Sequence, residues 1–119
     1  MWLFTRDGFY SAVYDDYCNE GELMIRARVI DDLERLRDKL SINADILVIN
    51  NADYRYRVKL TNEQWAKYVA SEAASIDYPN FKNTLSENEY ERASAYMKCW
   101  EAMYLFQEGM VQFNHWGDA

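Results

Sequence analysis

Glycine is scarce in this chain. Its four copies stand singly, at positions 8, 21, 109 and 117, so no Gly-rich loop is available to cradle a phosphate. The two cysteines, Cys18 and Cys99, are far apart and neither has a CxxC neighbour. That spacing excludes a zinc ribbon or finger and predicts two free thiols, Cys99 packed inside a helix. The one histidine, His115, stands close to the C-terminus with Asp118 near it. A catalytic imidazole needs a rigid orienting partner, and a metal centre needs three or four convergent ligands; this pair supplies neither. Asp15–Asp16 reads as a solvated loop. No apolar run approaches the roughly 20 residues of a membrane span. The opening "MWLFTRDGFY" also lacks the basic stretch, apolar core and small-residue cleavage site of a secretory signal. The expectation is a cytoplasmic chain with no metal, no cofactor and no membrane anchor.

What is present is the composition of a globular protein. Half of the 119 residues are apolar, enough at this length to bury a core without staples. The formal charge of −7 disfavours direct nucleic-acid binding, which draws its affinity from Lys and Arg meeting phosphates. It suits a protein that presents acid to a basic partner.

The hydrophobic pattern changes period along the chain. "MWLFTRDGFYSAVY" reads as a hairpin turning at Asp7–Gly8, where glycine would supply a positive φ. "LMIRARV" alternates as a half-buried strand. "IDDLERLRDKL" has the helical period, with Asp31 as its expected N-cap. "DILVI" is a short apolar run of the kind found in a central strand, and "YRYRVKL" alternates again. Thr61 and Gln64 form a capping box that opens a second helix; Ser86 and Glu89 form another before a long helix, with Gly109 as its C-cap. The expected fold is α+β, a mainly antiparallel sheet with helices on one face. It has a ferredoxin-like β-β-α-β-β-α core, an extra N-terminal strand and a long C-terminal helix. Residues 1–108 form one domain and 109–119 a tail. The expected core comprises Ile25, Ala27, Val29, Leu33, Leu36, Leu47, Tyr56, Val58, Trp65, Val69, Met97 and Trp100.

At "MWLFTRDGFYS", "ADYRYRV" and "IDYPNFK" the chain resembles a family of small bacterial proteins to which no activity is assigned. The resemblance spans about residues 1–108. It implies a shared fold and brings no catalytic residue, cofactor or partner with it.

Candidate chemistry is sparse. Asp53 and Asp77 sit at element edges, where a carboxylate ordinarily caps a turn, and no catalytic residue is assigned. The feature that stands out is positive charge. Alternation places Tyr54, Tyr56, Val58 and Leu60 on one side of a strand and Arg55, Arg57 and Lys59 on the other. Arg26 and Arg28 project likewise from the earlier strand, and neither strand contains an acid. The long helix is apolar round much of its circumference, which marks Tyr96, Met103 and Phe106 as a contact surface for a partner or a second copy. The leading expectation is a small acidic, non-catalytic interaction protein that docks another protein, a basic nucleic-acid-binding one included, with a phage-type inhibitor or regulator as a special case. The alternative is an anionic ligand, nucleotide or single strand held on the basic sheet face.

Overall fold

The computed structural model describes residues 1–85 and 89–110. The chain forms two compact units, Met1–Asp77 and Tyr78–Ala119, with the boundary inside the stretch read as one domain.

The first unit is a five-stranded antiparallel sheet with two helices. Its strands are β1 (Trp2–Phe4), β2 (Phe9–Val13), β3 (Glu22–Ala27), β4 (Leu47–Val48) and β5 (Tyr56–Thr61), in the order β1-β2-β3-β5-β4. Helix α1 (Ile30–Leu40) joins β3 to β4, and α2 (Asn62–Ala74) follows β5. From β2 to β4 the order is that of a ferredoxin-like sheet whose last strand has moved to the front; β1 extends it at the edge. Apolar residues of β2, β3 and β5 (Tyr10, Ala12, Ile25, Ala27, Val58, Leu60) meet Leu33, Leu36 and Leu40 of α1 and Trp65 and Tyr68 of α2 in one core. Both helices therefore cover the same face of the sheet.

Local chemistry explains most boundaries. Thr61 accepts a hydrogen bond from the Gln64 amide, and the Gln64 side chain accepts one from Thr61 N–H, so the predicted capping box opens α2. Helix α1 begins two residues earlier than expected: its N-cap is Val29, without a side-chain bond, and Asp31 lies inside the first turn. Ser41 ends α1 in the left-handed region, its N–H reaching back to Asp38.

Gly8 also has a different reason from the one expected. Its φ is not positive. A Cβ there would instead collide with the Asp32 carboxylate, so glycine is required for room rather than for a turn angle.

In the second unit a short 3-10 helix (Phe81–Thr84) precedes α3 (Tyr90–Gln107). Phe81 stacks on Tyr96 at 5.7 Å, and Lys82 lies over the Trp100 ring at 4.9 Å. Gly109, at φ 68°, follows the helix in the left-handed conformation typical of a C-terminal stop. Ser86 of the second expected capping box lies outside the described residues, as do the tail from 111 onward and His115.

Four expected core residues are on the surface. Val29 precedes α1 and Leu47 sits on the edge strand rather than a central one; Met97 and Trp100 belong to a helix that its own unit leaves largely uncovered. Trp100 is 57% exposed, and Cys99 beside it is exposed too. Leu36→Ala should therefore destabilise the first unit by about 2–5 kcal/mol, whereas Trp100→Ala should cost far less. Gly8→Ala should cost about 1–3 kcal/mol through overlap with Asp32. Urea unfolding of the three variants measures the ranking.

Candidate binding face and a closed polar network

The register of the sheet brings one row of side chains across all five strands on the face turned away from α1 and α2. Trp2 pairs with Ser11, Ser11 with Arg26, Arg26 with Arg57, and Arg57 with Leu47. The next row on the same face pairs Val13 with Met24 and Met24 with Lys59, and Phe4 pairs with Phe9 two residues beyond Trp2. Arg26, Arg57 and Lys59 thus project from adjacent strands, as the alternation predicts.

Tyr54 departs from that prediction. Strand β5 starts only at Tyr56, so residue 54 is free of the strand's alternation. Its ring is buried among the cations instead of in the core: the guanidinium carbon of Arg26 lies 4.4 Å from the ring centroid and that of Arg28 lies 4.2 Å from it. Phe9 adjoins it at 6.3 Å, stacked in turn on Phe4 at 4.6 Å and meeting Trp2 edge-on at 6.2 Å. Cation–π contact of this kind holds guanidinium planes in place with little need for an acid.

Acids are few beside these cations. Arg28 pairs with the Asp53 carboxylate at 3.0 Å and with its carbonyl at 3.1 Å. Arg26 donates to the Ser11 hydroxyl at 2.7 Å, while its buried Nε has no partner. Arg57 reaches only the Tyr54 carbonyl, at 3.4 Å. Among the described residues, Arg26, Arg55, Arg57 and Lys59 form no ion pair. The Asp15–Asp16 loop does not fold over them: the Asp15 carboxylate serves Tyr17 N–H and the Cys18 thiol, and Glu22 serves Asn19 N–H.

The three helix residues expected to form a contact surface separate. Met103 and Phe106 are exposed, but Tyr96 is buried beneath Phe81, and its hydroxyl accepts from Arg92 at 3.0 Å. Tyr96 is therefore internal to its unit and not available for docking. The two acids weighed for chemistry stand apart from any partner base: Asp53 holds Arg28, and Asp77 is exposed, 4.0 Å from Arg6.

A second polar cluster, not anticipated from the sequence, joins the β1–β2 turn to both helices. Tyr68 of α2 donates to Asp7 Oδ2 at 2.8 Å and shares a bond with Thr5 Oγ1 at 2.9 Å. Lys39 bridges Asp7 at 2.7 Å and Glu72 at 2.8 Å. Arg35 binds the Asp7 carbonyl and the Asp32 carboxylate, and Tyr10 donates to the Asp32 carbonyl. A carboxylate, a lysine and a phenol in contact could perform acid–base work. Here each is already engaged with another member, so the cluster acts as a clasp. The period of the sequence gives no sign of it, because its members come from a turn and two helices.

No protein-family model, curated protein or solved structure matches this chain. Among the described residues, no group of His, Cys, Asp and Glu is placed to hold a metal ion, and no helix is long and apolar enough to cross a membrane.

The clasp sets an alkaline limit. Burial pushes the Tyr10 and Tyr68 hydroxyls well above the usual range, with nearby Asp7 reinforcing both. Burial alone would lower the Lys39 ammonium, but hydrogen bonds to Asp7 and Glu72 outweigh it and leave it raised. Groups raised in the folded chain hold their protons there after the unfolded chain has begun to lose them. Their contribution is complete below about pH 10 and falls as pH rises beyond it. In a spectrophotometric titration, Tyr10 and Tyr68 should ionise only as the first unit unfolds. Tyr68→Phe should remove one phenol from the absorbance step that accompanies unfolding.

Proposed function

We propose that this chain is a non-catalytic interaction protein that docks an acidic surface of another protein on the sheet face opposite α1 and α2. The observation that carries the reading is the cross-strand Arg26–Arg57 pair, which has no carboxylate partner among the described residues, flanked by Lys59 and Arg55 in the same condition. Like charges directly opposite each other destabilise a sheet. A purely solvated face would interleave acids among its cations, as Asp53 does for Arg28; Glu22, on the same face at the start of β3, turns its carboxylate to Asn19 N–H instead. An anionic partner relieves the repulsion, and arginine suits it because its planar fork binds a carboxylate bidentately. The row ends in exposed apolar residues, Trp2 at 70% and Leu47 at 43% exposure. Trp and Arg together are the residue types that dominate protein interfaces. The unpaired cations favour an acidic partner over the basic one that net charge alone suggests.

A second reading rests on the rings. Trp2 and Phe4 are exposed on the same face as the cations, the combination that binds single strands by stacking and phosphate contact. The overall charge of −7 opposes it.

The double variant Arg57→Glu/Lys59→Glu separates the readings. It places acid opposite Arg26, so the melting temperature should hold or rise. Wild-type protein should bind labelled polyglutamate in a salt-sensitive manner, more tightly than oligo-dT, and the variant should lose about tenfold or more of that affinity. Tighter binding of oligo-dT would transfer the face to the second reading. Binding of both probes unchanged by the variant would remove the face from the function.

A further inference from the structure

Helix α3 carries a stripe that its own unit leaves uncovered. Met97, Glu101, Tyr104 and Glu108 follow at spacings of four, three and four, which aligns them along one side of a helix. All four are exposed. The stripe alternates apolar and acidic groups, and Trp100 stacks on Tyr104 at 5.5 Å beside it. Neither Glu101 nor Glu108 has a cationic partner among the described residues. Glu108 is moreover the C-cap, where the helix dipole disfavours negative charge, and the last turn contains no basic residue to offset it. Trp100 at 57% and Tyr104 at 45% exposure add large apolar side chains in contact with water, which is costly when they adjoin.

These are the complementary requirements of the sheet face. Among the described residues, one surface has Arg57 and Lys59 without an ion-pair partner, bordered by Trp2 and Leu47; the other has Glu101 and Glu108 without one, bordered by Trp100 and Tyr104, while Lys82 turns its charge to the Trp100 ring and the Met97 sulfur. Resting on the reading proposed above, we infer that the acidic partner of the sheet face is α3 of a second copy of this chain. Each copy has one such face and one such helix, and the assembly inferred is the one in which the two contacts are reciprocal, a two-fold dimer. In the dimer Glu101 and Glu108 meet Arg57 and Lys59, and any other acidic partner must compete with the helix for the face.

Charge exchange tests the contact in the full chain. Sedimentation velocity over a concentration series should show a wild-type dimer that weakens as salt rises. A face variant (Arg57→Glu/Lys59→Glu) and a helix variant (Glu101→Lys/Glu108→Lys) should each raise the dimer dissociation constant about tenfold or more. Mixed in equal amounts, they should form a heterodimer close to wild-type affinity, because both reciprocal contacts regain opposite charges. Circular dichroism confirms that each variant is folded; if either is not, the neutralising pair Lys59→Gln and Glu101→Gln replaces it, each expected to weaken the dimer. A wild-type monomer throughout the series, a dimer indifferent to salt, variants that associate like wild type, or a mixture that stays monomeric would each overturn the inference. Polyglutamate distinguishes this failure from that of the broader reading. If wild type is monomeric yet binds polyglutamate through Arg57 and Lys59, the face still docks acid and only its assignment to α3 falls.

Discussion

The buried Asp32 carboxylate, 2% exposed, is the constraint on which the first unit turns. It lies in the first turn of α1, where negative charge is favoured by the helix dipole. One oxygen accepts from Phe9 N–H at 3.1 Å and the other from Arg35 at 3.0 Å. The space it fills is the space that Gly8 lacks a side chain to occupy. A buried charge is tolerated only when paired and hydrogen-bonded, so hairpin, helix and arginine are specified together. From this point the clasp continues through Asp7 and Lys39 to Glu72 of α2. The strands β1 and β2 are thereby held over the helical layer by polar bonds at the turn and by Tyr10 in the core.

The same residue types have opposite fates on the two faces of the sheet. On the helix side, Arg35 and Lys39 are matched one by one with carboxylates and carbonyls, and the network closes on itself. On the other side, the Tyr54 ring positions the guanidinium groups of Arg26 and Arg28; Arg28 is answered by Asp53, whereas Arg26 has no ion pair among the described residues. Satisfied polar groups hold a fold together; positioned but unneutralised ones are free to meet a partner. That contrast, rather than the net charge of the chain, is the basis on which a binding role is proposed for one face, while the other face is held by its own polar network.

Much of the architecture was legible because period and capping are local properties. The alternation of Leu23–Ala27, the helical stripe of Leu33, Leu36 and Leu40, and the Thr61–Gln64 box all act within a few residues and appear where expected, whereas Val29, read as the strand's last inward residue, is the exposed N-cap of α1. The errors lie where an element's neighbours decide. The run "DILVI" is apolar enough for a central strand, yet β4 is a two-residue edge strand because β5 returns between it and β3. Tyr54 shares the parity of Tyr56, yet the strand begins after it and its ring turns to the cations. Trp100 has the period of a core residue in a helix for which its unit supplies little cover.

The candidate site divides along the same line. Sequence alone determined that Arg26, Arg57 and Lys59 would share a face, because alternation in a strand is imposed by backbone geometry. It also showed no acid between Leu23 and Val29 or between Tyr54 and Leu60; the structure extends β3 back to Glu22, which lies on the cation face but gives its carboxylate to Asn19 N–H. Only the tertiary structure decided that Arg26 and Arg57 stand directly opposite, that Tyr54 joins them, and that the loop acids bond elsewhere. Register and loop placement depend on how separate elements pack. A side chain's charge is written in the chain, but whether that charge is answered depends on which distant residues the fold brings within hydrogen-bond reach.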